Sequence, residues 1–157
     1  MQKQPGSRNC FVCGRQNEIG LKMTWVNDID NNQIRSVVTI PESFNGYPGI
    51  VHGGIVATML DETSGRAILI DGDMDKLFVT ARLDIKYRNP TPTDTPLTVV
   101  GWVIKQKGSY AQVAAEIRLP DGKVTAECTA LVVKPTEEFY ANCNWDEEKE
   151  FWKVYED

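Results

Sequence analysis

The sequence predicts an α+β fold, one long helix wrapped by a six-stranded antiparallel sheet, on three observations. Between about His52 and Ile70, Val56, Met59, Leu60, Thr63 and Ala67 recur at three- and four-residue steps, the period of a helical stripe. From Leu77 to Tyr87 apolar residues alternate without a break, the period of a strand. Short turns rich in Gly, Pro and Asp then divide the rest into three more strand-like runs. Two strands, one helix and four strands in hairpin succession make a helix-on-sheet layer.

In order, Leu21, Met23 and Trp25 keep one parity, and Ile34, Val38 and Ile40 keep another. The turn-like Asp28-Ile29-Asp30-Asn31-Asn32 between them predicts a hairpin. A loop runs from Pro41 through Asn45-Gly46-Tyr47-Pro48-Gly49, and Asp71-Gly72-Asp73 stops the helix. Asn89-Pro90-Thr91-Pro92-Thr93-Asp94 turns the chain after the clearest strand. Leu97–Lys107, Ala111–Leu119 and Val124–Val133 follow, separated by Gly108-Ser109 and by Pro120-Asp121-Gly122-Lys123. This body spans residues 1–135. In the tail, residues 136–157, Trp145, Lys149, Trp152 and Tyr155 fit one face of a short helix.

Composition narrows the function. The 157 residues suit one domain, with 41% apolar and 25% charged residues. The net charge of −5 sits in the tail: residues 137–157 hold eight acids and two lysines, and the other 136 residues balance 15 bases against 14 acids. A neutral body lacks the basic face that duplex nucleic acid requires. Met1–Arg8 is polar, with Pro5 and Gly6, unlike a secretory or transit peptide. No apolar run approaches the roughly 18 residues of a membrane span, so a cytoplasmic protein is expected. Cys10 and Cys13 have knuckle spacing, but Cys128 and Cys143 form no second close pair; reduced thiols and no metal are the expectation.

Chemistry concentrates on the helix. Gly53-Gly54 in its first turn costs roughly a kcal/mol per glycine relative to alanine. What the pair supplies is N–H groups that a ligand can approach without meeting a Cβ, at the positive end of the helix dipole. That suits an oxyanion hole. Asp61 is flanked on the helical wheel by Ala57, Thr58, Ser64 and Gly65, all small, and has no basic partner three or four residues away. Glu62 does have one, Arg66 at i+4. Gly53 and Asp61 are eight residues apart, about 12 Å along a helix. Both can act on one carbonyl only if they come from two copies of the helix, which predicts a homodimer with composite sites.

Val51-His52-Gly53-Gly54-Ile55-Val56-Ala57-Thr58-Met59-Leu60-Asp61-Glu62, with Thr80-Ala81-Arg82-Leu83-Asp84-Ile85-Lys86-Tyr87, resembles the hotdog-fold acyl-CoA thioesterases, in the branch that includes phenylacetyl-CoA-type enzymes. Cys10-Phe11-Val12-Cys13-Gly14 with Asn17 and Gly20-Leu21 resembles an opening signature of part of that branch. The resemblance implies a hotdog fold and hydrolysis of an acyl-CoA without a cofactor, by a dimer or tetramer. It implies that the Gly53 and Gly54 N–H groups polarise the thioester carbonyl while His52 orients the loop. Asp61 from the facing subunit would activate water or attack directly, with Thr80 holding the water. Many relatives place Asn or Gln six residues before the His; here that residue is Gly46, and Asn45 is the substitute. Lys86 and Arg88, or Lys105 and Lys107, are candidates for the phosphates of coenzyme A. Two other functions suit the same fold: a non-catalytic acyl-thioester sensor, and a hydratase, which wants a closely coupled Asp/His pair.

Overall fold

The computed structural model describes residues 1–156. Helix α1 (Gly53–Arg66) lies at its centre, continued by a 3-10 turn over Ala67–Asp71 and stopped where Gly72 takes φ +88°. Val56, Met59, Leu60 and Thr63 are buried, as the stripe requires. The strands in chain order are β1 (Gln2–Lys3), β2 (Val26–Asp28), β3 (Gln33–Thr39), β4 (Asn45–Tyr47), β5 (Ile50–Val51), β6 (Val79–Tyr87), β7 (Pro96–Lys107), β8 (Tyr110–Arg118) and β9 (Val124–Val133). All but β4 and β5 form one antiparallel sheet, ordered β1–β2–β3–β7–β8–β9–β6, wrapped about α1 in the hotdog manner. β4 and β5 pair with each other in the loop before the helix.

The main sheet therefore has seven strands, not six. Gln2–Lys3 pairs with Val26–Asn27, and two residues carry no period that a sequence could display. The first expected strand also begins late. The N–H groups of Leu21 and Met23 go to the carbonyls of Phe11 and Val12, both at 2.8 Å, rather than to a strand. Met23 and Trp25 are nevertheless buried, which is why they alternate. The expected turn is a 3-10 turn over Ile29–Asn31, with Asn32 left-handed at φ 52°. The last three strands lie within one residue of their expected limits.

Helix and sheet meet closely. Trp25 Nε1 donates to Thr63 Oγ1 at 3.0 Å, both residues fully enclosed. Across from it, a Cβ on Gly101 of β7 would stand 2.7 Å from the Thr63 carbonyl oxygen. Only glycine lets the strand approach the helix backbone this far.

The tail folds as α2 (Glu137–Asn142), α3 (Trp145–Glu148) and a 3-10 turn over Lys149–Phe151. The single helical face expected of it is broken: Trp152 and Tyr155 lie beyond the last turn. Trp152 Nε1 donates to the Met74 carbonyl at 2.8 Å, and Lys153 bridges to Gly6. No helix among the described residues is long and apolar enough to cross a membrane.

Substituting Gly101→Ala pushes a methyl group into helix backbone that has no room to yield. We expect a loss of about 1–3 kcal/mol, the usual cost of overpacking, read as a lower denaturant midpoint at unchanged slope.

Candidate active site

The start of α1 is built from the loop before it. Glu42 gathers that loop, accepting from Asn45 Nδ2 at 2.6 Å, the Gly49 N–H at 2.9 Å and Thr93 Oγ1 at 2.6 Å. These donors, Thr93 foremost, hold its carboxyl below the usual carboxylate range. Asn45 thus spends its amide on Glu42, while Gly46 lies against His52, where a Cβ would stand 3.3 Å from the His52 Cα. The His52 N–H donates to Phe44, and the Val51 N–H to Thr91.

His52 is the N-cap, at φ −54° and ψ 135°, and its Nδ1 accepts from the Gly54 N–H at 2.9 Å. Of the two glycine N–H groups predicted to polarise a carbonyl, Gly54's is taken up by this cap. Gly53's donates to nothing among the described residues. Tyr87, at the end of β6, donates from its hydroxyl to the Gly53 carbonyl at 2.7 Å. Sequence reading placed Tyr87 only in an alternating strand; nothing local announces a contact 34 residues away. A cleft of about 740 Å³ opens here, lined by Tyr47, His52, Gly53, Val56, Tyr87 and Arg88 among others.

Asp61 lies two turns further along α1. Thr80 Oγ1 donates to its Oδ1 at 2.7 Å, joining two residues that the sequence singled out separately. Asp61 carries no ion pair among the described residues, whereas Glu62 accepts from Arg66 Nε at 2.8 Å as the i+4 spacing predicts. A smaller cavity of about 140 Å³ touches Asp61, Thr80, Phe78, Lys76 and, from the tail, Trp152. Within one chain this carboxylate and the Gly53 N–H belong to separate cavities on one helix.

The basic candidates divide. Arg88 lines the large cleft but is paired with Glu127 at 2.7 Å. Lys86 lines a different depression, with Trp102, Glu116 and Glu127. Lys105 and Lys107 are exposed near the end of β7.

Known proteins share this architecture. The mouse acyl-coenzyme A thioesterase THEM4 is 36% identical over 90 residues, which are 57% of this chain and 37% of that protein. The Xenopus laevis THEM4 is 35% identical over 91 residues, 39% of its length. The chain thus spans less than half the length of these curated thioesterases. Among solved structures, the thioesterase superfamily protein RHA08564 superposes with a TM-score of 0.73 at 33% identity, over 80% of this chain and 63% of that one. A hypothetical thioesterase protein from Streptococcus pneumoniae, solved with coenzyme A, has the same fold, with a TM-score of 0.59 at 22% identity, over 64% of this chain and 79% of that one. The sequence profile of the thioesterase superfamily matches residues 48–126, half the chain and the stretch that holds His52, Gly53, Asp61 and Thr80, and the chain belongs to that family.

Proposed function

We propose that this protein hydrolyses an acyl-CoA thioester to the free acid and CoA, without a cofactor. The observation that carries the reading is the Thr80–Asp61 hydrogen bond. It holds, among small neighbours, a carboxylate that no cation among the described residues pairs with and that a water molecule can approach. The curated relatives named acyl-coenzyme A thioesterases support the substrate class.

Asp61 takes a proton from water as the water oxygen attacks the thioester carbon, and Thr80 fixes the position of both. The carbonyl oxygen gains negative charge and is stabilised by the Gly53 N–H and the positive end of α1. The tetrahedral intermediate then expels the CoA sulfur as a thiolate, leaving the acid. In the second route open to Asp61, direct attack, water instead cleaves an acyl-aspartyl anhydride. His52 acts by capping α1, which leaves Gly53, and not Gly54, as the donor open to substrate. Arg88 exchanges Glu127 for a phosphate of CoA at the mouth of the cleft; Asn45 shapes that mouth through Glu42. Lys86 meets the distal phosphates.

Two copies complete each site. The sheet ends on one side in the two-residue β1 and on the other in β6, nine residues with one side unpaired. Thr80, Ala81 and Arg82 are exposed along it. A long open edge is a template for a further strand. Pairing of β6 with β6 of a second copy sets the two α1 helices side by side, with donors from one and carboxylate from the other; tetramers are pairs of such dimers. The body, residues 1–135, carries this chemistry, and the tail covers the Asp61 cavity with Trp152. We place the protein in the cytoplasm, where its four free cysteines stay reduced.

A panel of acyl-CoAs assayed by release of free thiol tests the reading. At least one is hydrolysed, and Asp61→Asn lowers kcat about a hundredfold or more. Tight binding of CoA esters with no thiol release would instead establish a sensor.

Gly53→Pro removes the open N–H while keeping the helix, because proline is favoured at the first helical position and His52 already has the conformation that precedes proline. A Cβ there meets only the Tyr87 ring, at an ordinary 3.7 Å. We expect kcat to fall about 100- to 1,000-fold, the scale of one lost oxyanion donor, with stability unchanged.

Mixing the Asp61→Asn and Gly53→Pro proteins under exchange conditions should restore about a quarter of wild-type activity, since half the dimers then hold one intact site of two. Failure of two dimeric variants to complement would refute the composite site.

A further inference from the structure

Cys10, Cys13 and Glu62 come together although 49 residues separate the last two in sequence. Their sulfur and carboxylate atoms all lie within 4.8 Å of one another. Cys13 is buried, and Cys10 and Glu62 are partly exposed. The loop that carries the thiols is tightly constructed. Gly14 closes the turn with its N–H on the Cys10 carbonyl at 2.8 Å, and a Cβ there would stand 2.4 Å from that same oxygen. Asn17 ties Asn9 to Ile19, and a Cβ on Gly20 would stand 2.6 Å from the Phe11 carbonyl oxygen. The Cys-x-x-Cys-Gly, Asn and Gly-Leu elements are therefore the frame that presents two sulfurs to α1.

The polar surroundings favour sulfur as a ligand. The Val12 N–H donates to Cys10 Sγ at 3.3 Å, and Ser7 Oγ lies 3.4 Å from Cys13 Sγ. Glu62 is held through Oε1 by Arg66, itself buried and stacked 4.1 Å over the Trp25 ring. That leaves Glu62 Oε2 without a partner among the described residues.

We propose that Cys10, Cys13 and Glu62 bind one thiophilic divalent cation of the Zn2+ class, with solvent as fourth ligand, fastening the N-terminal loop to α1. Ligands around a tetrahedral zinc ion stand about 3.5–3.8 Å apart, so these three need close only slightly. Two thiolates and a carboxylate set against a divalent cation and the Arg66 guanidinium sum to neutrality, which a partly buried centre requires. Sulfur donors select against Mg2+ and Ca2+. Sequence spacing showed half a knuckle and no second cysteine pair; the third ligand comes from the helix instead. The site is independent of the hydrolytic reading, since Asp61 and Thr80 are not among its ligands.

The full chain, reduced, stripped with a chelator and handled without oxygen, is titrated with Co2+. A thiolate-to-cobalt charge-transfer band should saturate at about one ion per chain, and Zn2+ should abolish it and raise the melting temperature. Cys13→Ser removes the band, Glu62→Gln weakens Co2+ binding about tenfold or more, and Cys143→Ser, in the tail, changes nothing. Should Cys13→Ser not fold by circular dichroism, the more exposed Cys10→Ser carries the same test. The proposal is overturned if wild-type protein shows no band in excess Co2+, if the band survives loss of both thiols, or if Glu62→Gln binds as tightly as wild type. Isolation with a Cys10–Cys13 disulfide that takes up no Co2+ once reduced would overturn it in favour of a redox pair.

Discussion

Everything in this molecule hangs on how closely α1 lies in the sheet. The contact is set where β7 has no side chain at Gly101 and where Trp25 reaches across to hydrogen-bond Thr63. Because Thr63 is held through its hydroxyl by Trp25 and through its backbone against Gly101, the helix resists sliding and rolling, and every group it carries is held at a fixed height and angle. A helix packed through longer side chains would have more freedom and would hold its termini less exactly in place.

The helix then works as a ruler with three marks. At its start, the His52 ring accepts the Gly54 N–H in the cap and leaves that of Gly53 open. Two turns on, Asp61 faces small residues and Thr80. One residue later, on the side toward the N-terminal loop, Glu62 meets Arg66 and the two thiols. A rise of about 1.5 Å per residue keeps the first two marks from serving one carbonyl in one chain, which is the ground for the two-copy site proposed above. The same rigidity gives each mark its own surroundings.

Much of this was legible from residue order. The helix limits, the last three strands and the isolation of Asp61 follow from period and spacing, because these properties act between neighbours in the chain. What stayed hidden acts between strangers. Gln2–Lys3 is too short for a period, and Leu21–Trp25 is buried like a strand while bonding like a loop. Tyr87 on Gly53, the engagement of Gly54 by its own cap, and Glu62 beside Cys10 and Cys13 depend on tertiary approach. So does the division of the basic residues: Arg88 and Lys86 are two positions apart, yet one borders the cleft and the other a depression elsewhere.

The open side of β6 also bears on solubility. The outward-facing backbone groups of a nine-residue sheet edge invite any extended chain. Arg82, Asp84 and Lys86 place charge at alternate positions along that edge, with Arg82 and Asp84 paired at 2.9 Å. Such residues act as gatekeepers: a self-complementary copy can match them, whereas a stray hydrophobic segment would have to strip them of water. On a newly made chain, those three side chains guard the open edge against aggregation.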